Sequence, residues 1–186
     1  MGKINCNDDM LFEKTVSSAK FFEGKVFDVE VKNIVTAEGR QAKREIVKHP
    51  GGACILPLDG EGNCFLVKQF RSPFETVMLE APAGKIEEGE EPLACVSREI
   101  TEETGYTAGN IEFVGAMAAT PGYCNEIISL YIGTGLTYTG GNPDENEYIS
   151  TVKMPLKEAL EMAENGSIRD AKTLVLIYKA SRRFGI

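Results

Sequence analysis

The sequence predicts an α/β protein of the α+β type, built on a mixed sheet with helices on both faces and carrying an N-terminal β-hairpin extension. Three observations carry that prediction. Helical periodicity interrupts the strand-like segments instead of following each of them, which argues against a regular βαβ repeat. A strand pair precedes the main run of apolar strands, and two amphipathic helices end the chain.

Taken in order, residues 26–31 and 43–47 are strand-like and are joined across Ala37-Glu38-Gly39-Arg40, the pattern of a hairpin. A second pair, 53–58 and 63–70, is separated by Asp59-Gly60-Glu61-Gly62, whose Asp-Gly is a strong turn signal; the core sheet starts here. The clearest helix is 91–104. Pro92 suits its first turn, Leu93, Val96 and Ile100 fall on one face, and Gly105 suits a left-handed stop. Strands resume at 111–116 and 127–132. A strand near 148–154 then leads into helices at 156–164 and 171–183, split by Asn165-Gly166-Ser167.

With 186 residues and 42% apolar content, the chain can bury one sizeable core and is short for two full domains. It has no run approaching the roughly 18 apolar residues that span a bilayer, and its start lacks the apolar core of a secretory signal, so a soluble, cytoplasmic protein without a membrane partner is expected. A formal charge of −8 with no compensating basic cluster argues against nucleic acid as a partner. The five cysteines are odd in number and lack a Cys-x-x-Cys pair, so they read as reduced, mostly core residues. His49 is the only histidine, which leaves acid–base chemistry to carboxylates.

Glu99, Glu102 and Glu103 stand at i, i+3 and i+4 and therefore share one helix face. Like charges at that spacing repel, and the last turns of a helix already disfavour negative charge. A solvated acidic face is the ordinary explanation of such a run. A divalent cation offers another, because Mg²⁺ takes carboxylate oxygens and bridges to phosphates.

The surrounding spacing decides between them: Gly84, five residues, Glu90, seven residues, Arg98-Glu99-Ile100, one residue, Glu102-Glu103, one residue, Gly105. This resembles the Nudix box at every fixed position, with Tyr106 where the family prefers an aliphatic residue. The resemblance implies a Nudix-like α/β/α sandwich that hydrolyses nucleoside diphosphates linked to another group. It assigns metal binding to Glu99, Glu103 and the backbone carbonyl of Ala83, with Glu80 near the metals. It makes Glu102, Glu103 and Arg98 part of the catalytic set, Arg98 and Glu90 bracing the loop against the helix.

Beyond the box, Thr120-Pro121-Gly122-Tyr123-Cys124-Asn125-Glu126 resembles the loop that marks ADP-ribose pyrophosphatases, with Thr120, Tyr123 and Asn125 as departures. In similar enzymes a glutamate in a mobile loop swings over the substrate. That implies Glu145, in Asp144-Glu145-Asn146-Glu147, as general base and Glu147 as a further metal ligand. Arg44 and Arg71 match substrate-contacting positions, joined by Pro121 and Gly122; Phe22 and Phe27 are candidate adenine contacts, with core packing the more ordinary role for either.

The expectation is therefore a Mg²⁺-dependent hydrolase, with Mn²⁺ as a substitute, that cleaves ADP-ribose to AMP and ribose 5-phosphate. Another nucleotide sugar, GDP-mannose or ADP-glucose, is the alternative substrate, and a non-catalytic nucleotide-sugar sensor is the alternative class. Residues 1–48 resemble the strand-rich segment through which relatives pair as homodimers, and 49–186 the hydrolase domain.

Overall fold

The computed structural model describes residues 11–140 and 148–186. It divides into two compact units, Met1–His49 with Thr120–Glu126, and Pro50–Ala119 with Ile127–Ile186.

The first unit is a three-stranded antiparallel sheet of β1 (Glu13–Glu23), β2 (Asp28–Thr36) and β3 (Gln41–Lys48), in the order β1-β2-β3. The expected hairpin is β2-β3, turning through Gly39 at φ +81°. β1 is an addition that the sequence pattern did not announce. All eleven of its residues are exposed, so it shows no alternation of apolar and polar positions and is held by its ladder to β2. Phe22 and Phe27 are exposed and lie 6.0 Å apart, centroid to centroid, so neither fills the core position that was the ordinary expectation.

The second unit contains β4 (Gly52–Pro57), β5 (Asn63–Arg71), β6 (Thr76–Glu80), β7 (Ala83–Lys85), α1 (Pro92–Thr104), β8 (Tyr106–Ala118), β9 (Ile127–Tyr138), β10 (Ser150–Pro155), α2 (Leu156–Glu164) and α3 (Ala171–Phe184). A mixed sheet runs β7-β4-β9-β8, with β4 and β9 parallel and the other pairs antiparallel. A smaller antiparallel sheet runs β10-β5-β6.

β4 explains the layering. Its residues are all buried, and because successive strand side chains point to opposite faces they supply two cores. Ala53 and Ile55 pack with Cys95, Val96 and Ile100 of α1 and with Tyr131. Cys54 and Leu56 face the other way, into a cluster with Leu130, Ile132, Leu156, Leu176 and Ile177 that α2 and α3 close. Helices therefore cover both faces, as expected. Each fully buried Leu or Ile contributes about 1.5–3 kcal/mol. Cys54, Cys64 and Cys95 are buried free thiols and Cys124 is half-buried; Cys6 lies outside the described residues. No helix among the described residues is long and apolar enough to cross a membrane.

Candidate active site

α1 begins with Pro92 in its first turn, where a missing N–H costs nothing, and ends at Gly105, whose φ of +77° lets its N–H reach the Thr101 carbonyl at 2.9 Å. Its buried stripe is Cys95, Val96, Ile100, Glu103 and Thr104. Leu93, expected on that stripe, is half exposed: the stripe starts later along the helix, where α1 meets β4 and Tyr131. Two carboxylates of this helix reach the preceding strap. Glu103, 8% exposed, accepts the Ala83 N–H at 3.0 Å. The Glu99 carboxylate lies against Gly84, so closely that a Cβ there would stand 1.7 Å from its Oε1. Glycine at 84 is thus a cradle for Glu99, a requirement of close approach.

Arg98 gathers Glu99 together with Glu90 and Glu102. Its guanidinium lies 2.6 Å from Glu99 and 2.9 Å from Glu102, and meets Glu90 at 3.2 and 3.3 Å. The Glu90 hydrogen bonds first, then those of Glu99 and Glu102, hold the guanidinium pKa above its ordinary value, and Arg98 in turn holds the Glu90 carboxyl below the usual carboxylate range. The Glu87 N–H also donates to Glu90, at 3.0 Å, tying the loop before the helix to the helix itself. Cys95 lies beneath, within 3.7 Å of the Gly84 carbonyl oxygen and of Arg98; burial pushes its thiol up to about 12 and keeps it unreactive.

Glu80, 1% exposed, and Arg71 form a bidentate pair at 2.7 and 2.8 Å. Lys172 of α3 completes the arrangement, 2.5 Å from Glu80 and 2.9 Å from Asp170. Burial opposes ionisation of Glu80, but the Arg71 hydrogen bonds and the Lys172 charge outweigh it and hold the carboxyl down at about 2. Burial likewise works against the Lys172 ammonium, and the negative groups around it, Asp170 and Glu80 among them, overcome that and raise its pKa. Lys172, Asp170 and Thr173 were not singled out from the sequence. Asp170 at the start of a helix is a readable cap, and its carboxylate does accept the Thr173 N–H at 3.0 Å. The burial of Lys172 carries no such local signal.

The other expected site residues belong to the first unit or lie outside the described residues. Arg44 on β3 is engaged by Glu13 of β1, with Nε 3.0 Å from the carboxylate. Pro121 and Gly122 are exposed in a turn closed by the Tyr123 and Cys124 N–H groups on the Thr120 carbonyl, at 3.2 and 3.0 Å. That turn pairs with the end of β3. Val47 N–H donates to Tyr123 and Asn125 N–H to Val47, while the Asn125 side chain accepts the His49 N–H at 2.7 Å. Asn125 therefore has a structural task in ordering the loop. Glu145 and Glu147 lie outside the described residues.

Among the described residues, no three His, Cys, Asp or Glu side chains close into a metal-holding group. Glu99 and Glu102 are drawn to Arg98 and Glu103 is turned onto the Ala83 N–H. The carboxylates that converge on residues 83 and 84 nonetheless offer oxygens, the chemistry that a hard divalent cation requires.

A mixed sheet between helix layers, with a glutamate-bearing helix packed on a glycine strap, defines the Nudix class of folds. The NUDIX domain model matches residues 48–176, and the chain belongs to that family. It is 40% identical to the ADP-ribose pyrophosphatase of Bacillus subtilis (strain 168), covering 90% of this chain and 91% of that one. It is 36% identical to the methanol dehydrogenase activator of Bacillus methanolicus, over 89% and 90%. To the GDP-mannose pyrophosphatase of Cronobacter sakazakii (strain ATCC BAA-894) it is 31% identical, over 94% and 95%. The crystal structure of an ADP compounds hydrolase superposes with a TM-score of 0.80 at 18% identity, covering 92% of this chain and 93% of that one, which supports the fold.

Proposed function

We propose that the chain hydrolyses the pyrophosphate bond of a nucleoside diphosphate sugar, with ADP-ribose as substrate and AMP and ribose 5-phosphate as products. The observation that carries this reading is the convergence of Glu99 and Glu103 on the Ala83-Gly84 backbone within an intact box. The 40% identity to an ADP-ribose pyrophosphatase supports the choice of sugar nucleotide. Glu99, Glu103 and the Ala83 carbonyl would hold Mg²⁺, or Mn²⁺ in its place. When bound, the cation supplies neutralisation of the diphosphate charge and polarisation of a phosphoryl oxygen.

The chain's own residues do the rest. Arg98 keeps Glu99 and Glu102 in fixed rotamers and ties the helix to the Glu90 loop. Glu145 is assigned as general base for the attacking water and Glu147 as a further ligand. Arg44, Arg71, Pro121 and Gly122 are assigned to the substrate. Arg71 would reach a phosphate only by sharing its guanidinium with Glu80, which fixes it in place.

GDP-mannose is the second reading, favoured by the relatives of that name. A panel of ADP-ribose, GDP-mannose, ADP-glucose and NADH, assayed with Mg²⁺, Mn²⁺ or chelator and resolved by chromatography, tests both. Release of AMP from ADP-ribose only when the cation is present is the expected result; equal turnover under chelation would refute it.

Residues 1–48 are assigned as a pairing segment for a cytoplasmic homodimer and 49–186 as the hydrolase domain. The exposed Leu11 and Phe12 just before β1, and Val16 and Phe21 within it, support this, because large exposed apolar side chains mark an interaction surface. Light scattering at micromolar concentration should give twice the chain mass.

A further inference from the structure

The strap from Glu80 to Gly84 carries the backbone on which the proposed cation site rests, and every one of its residues is held by a different neighbour. Pro82 has no N–H to give, so at this point the chain has one ladder bond fewer to hold it. The Pro82 carbonyl accepts the Ile55 N–H of β4 at 2.9 Å, and Ala83 and Gly84, which pair with Cys54 and Ala53 of β4, also meet Glu103 and Glu99. The two residues before Pro82 are anchored from α3, whose sequence lies 92 positions away.

These anchors form a ring of directional bonds. The Ala81 N–H donates to Thr173 Oγ1 at 2.7 Å, Thr173 Oγ1 donates to Asp170 Oδ2 at 2.5 Å, Lys172 Nζ donates to Asp170 Oδ1 at 2.9 Å, and the same Nζ donates to Glu80 Oε2 at 2.5 Å. A threonine hydroxyl has one proton. Given to Asp170, it leaves only lone pairs facing Ala81, so the bond to the strap has a single sense. Thr173 is fully buried and Glu80 is 1% exposed, so water is not at hand to replace a lost partner.

We propose that Thr173, oriented by Asp170, and Lys172 are positioning residues for the hydrolysis, holding the strap so that Ala83 and Gly84 offer one backbone geometry to Glu103, Glu99 and the cation. This rests on the reading of the strap as the cation-bearing segment. None of the three touches the reacting atoms; they act through Glu80 and Ala81. The box is thereby set from outside itself, by a helix that the box pattern does not include.

Thr173→Val keeps the shape of the side chain and removes the hydroxyl, and Thr173→Ser keeps the hydroxyl. Leu176→Ala, on the same helix and fully buried, weakens packing without touching the strap. In Thr173→Val, amide hydrogen exchange at Ala81 and Ala83 should quicken on the order of tenfold, as expected of an orphaned buried donor. The dissociation constant for Mn²⁺, read by calorimetry, should rise about ten- to a hundredfold, the usual cost of losing an outer hydrogen bond to a metal site. For ADP-ribose, kcat should fall while KM stays within about twofold. Thr173→Ser should restore all three.

Wild-type exchange and Mn²⁺ affinity in Thr173→Val would overturn the proposal, as would failure of Thr173→Ser to restore them or the same losses in Leu176→Ala. The exchange comparison reads the positioning even in a chain that neither binds Mn²⁺ nor turns over. Failure of the functional reading and failure of this one are therefore separate results.

Discussion

Two clusters of charge lie on either side of the same strap, and they are built differently. Around Glu80 the account is even: two carboxylates, Glu80 and Asp170, face two cations, Arg71 and Lys172, and the cluster is largely buried. Around α1 three carboxylates, Glu90, Glu99 and Glu102, share the one guanidinium of Arg98. A balanced buried network can satisfy its own charges and serves as structure. An acid-rich one is a standing invitation to a cation from solution. On the function proposed above, the difference divides the work: the first cluster would hold the strap, and Glu99 of the second, with Glu103, would take the cation.

The largest expected effect separates the two roles most sharply. Glu103→Gln should lower kcat on the order of a thousandfold, the scale of losing a main electrostatic contributor, with the melting temperature little changed. Steady-state kinetics beside a melting curve checks it, and unaltered turnover would put the metal function elsewhere. Glu80→Gln should act first on stability, costing about 3 kcal/mol because Lys172 and Arg71 lose a buried partner, as chemical denaturation would measure.

That variant also has a pH signature. Arg71 and Lys172 hold the folded Glu80 carboxyl down at about 2, below the ordinary glutamate range. Its contribution to stability is therefore fully present above the unfolded value and is lost as pH falls toward 2. Glu80→Gln should flatten the acid limb of stability between those limits; an unchanged limb would mean that Glu80 is not the group responsible.

Gly84→Ala is an intermediate case. The new methyl collides with the end of the Glu99 side chain, which can swing away, so the fold should survive while Mn²⁺ affinity drops about ten- to a hundredfold. A variant that binds Mn²⁺ as well as wild type would remove Glu99 from the ligand set. The smallest effect belongs to Arg98→Lys: one ammonium cannot serve three carboxylates as a fork does. Activity at limiting Mg²⁺ should fall about tenfold and recover as Mg²⁺ is raised, with stability within about 1 kcal/mol because the group is partly exposed.

How much of this was legible in the sequence follows from distance along the chain. The box could be read because its carboxylates are placed by local helical geometry, and the Gly105 stop and the Asp59-Gly60 turn are equally local. Strand-like runs on either side of the Asp59-Gly60 turn revealed β4 and β5, but nothing comparable marked β1, which buries nothing, or β6 and β7, which are five and three residues long. Leu93 fits the helical stripe by arithmetic and is exposed because the stripe meets its neighbours only later along the helix. The Lys172 contact is the least legible feature of all. A lysine on an amphipathic helix reads as solvated, and only the folded chain brings Glu80 to it.

β4 has a practical consequence. Because its alternate residues belong to both hydrophobic clusters, the layer that bears the glutamates and the layer that bears Lys172 share a spine, and the two should melt together. Any compound that grips the acidic end should then raise the midpoint of the whole unit, by an amount that grows with the logarithm of its concentration over its dissociation constant. A dye-monitored heating curve, run against a shelf of nucleotides with and without manganese, becomes a substrate screen that needs no assay of turnover.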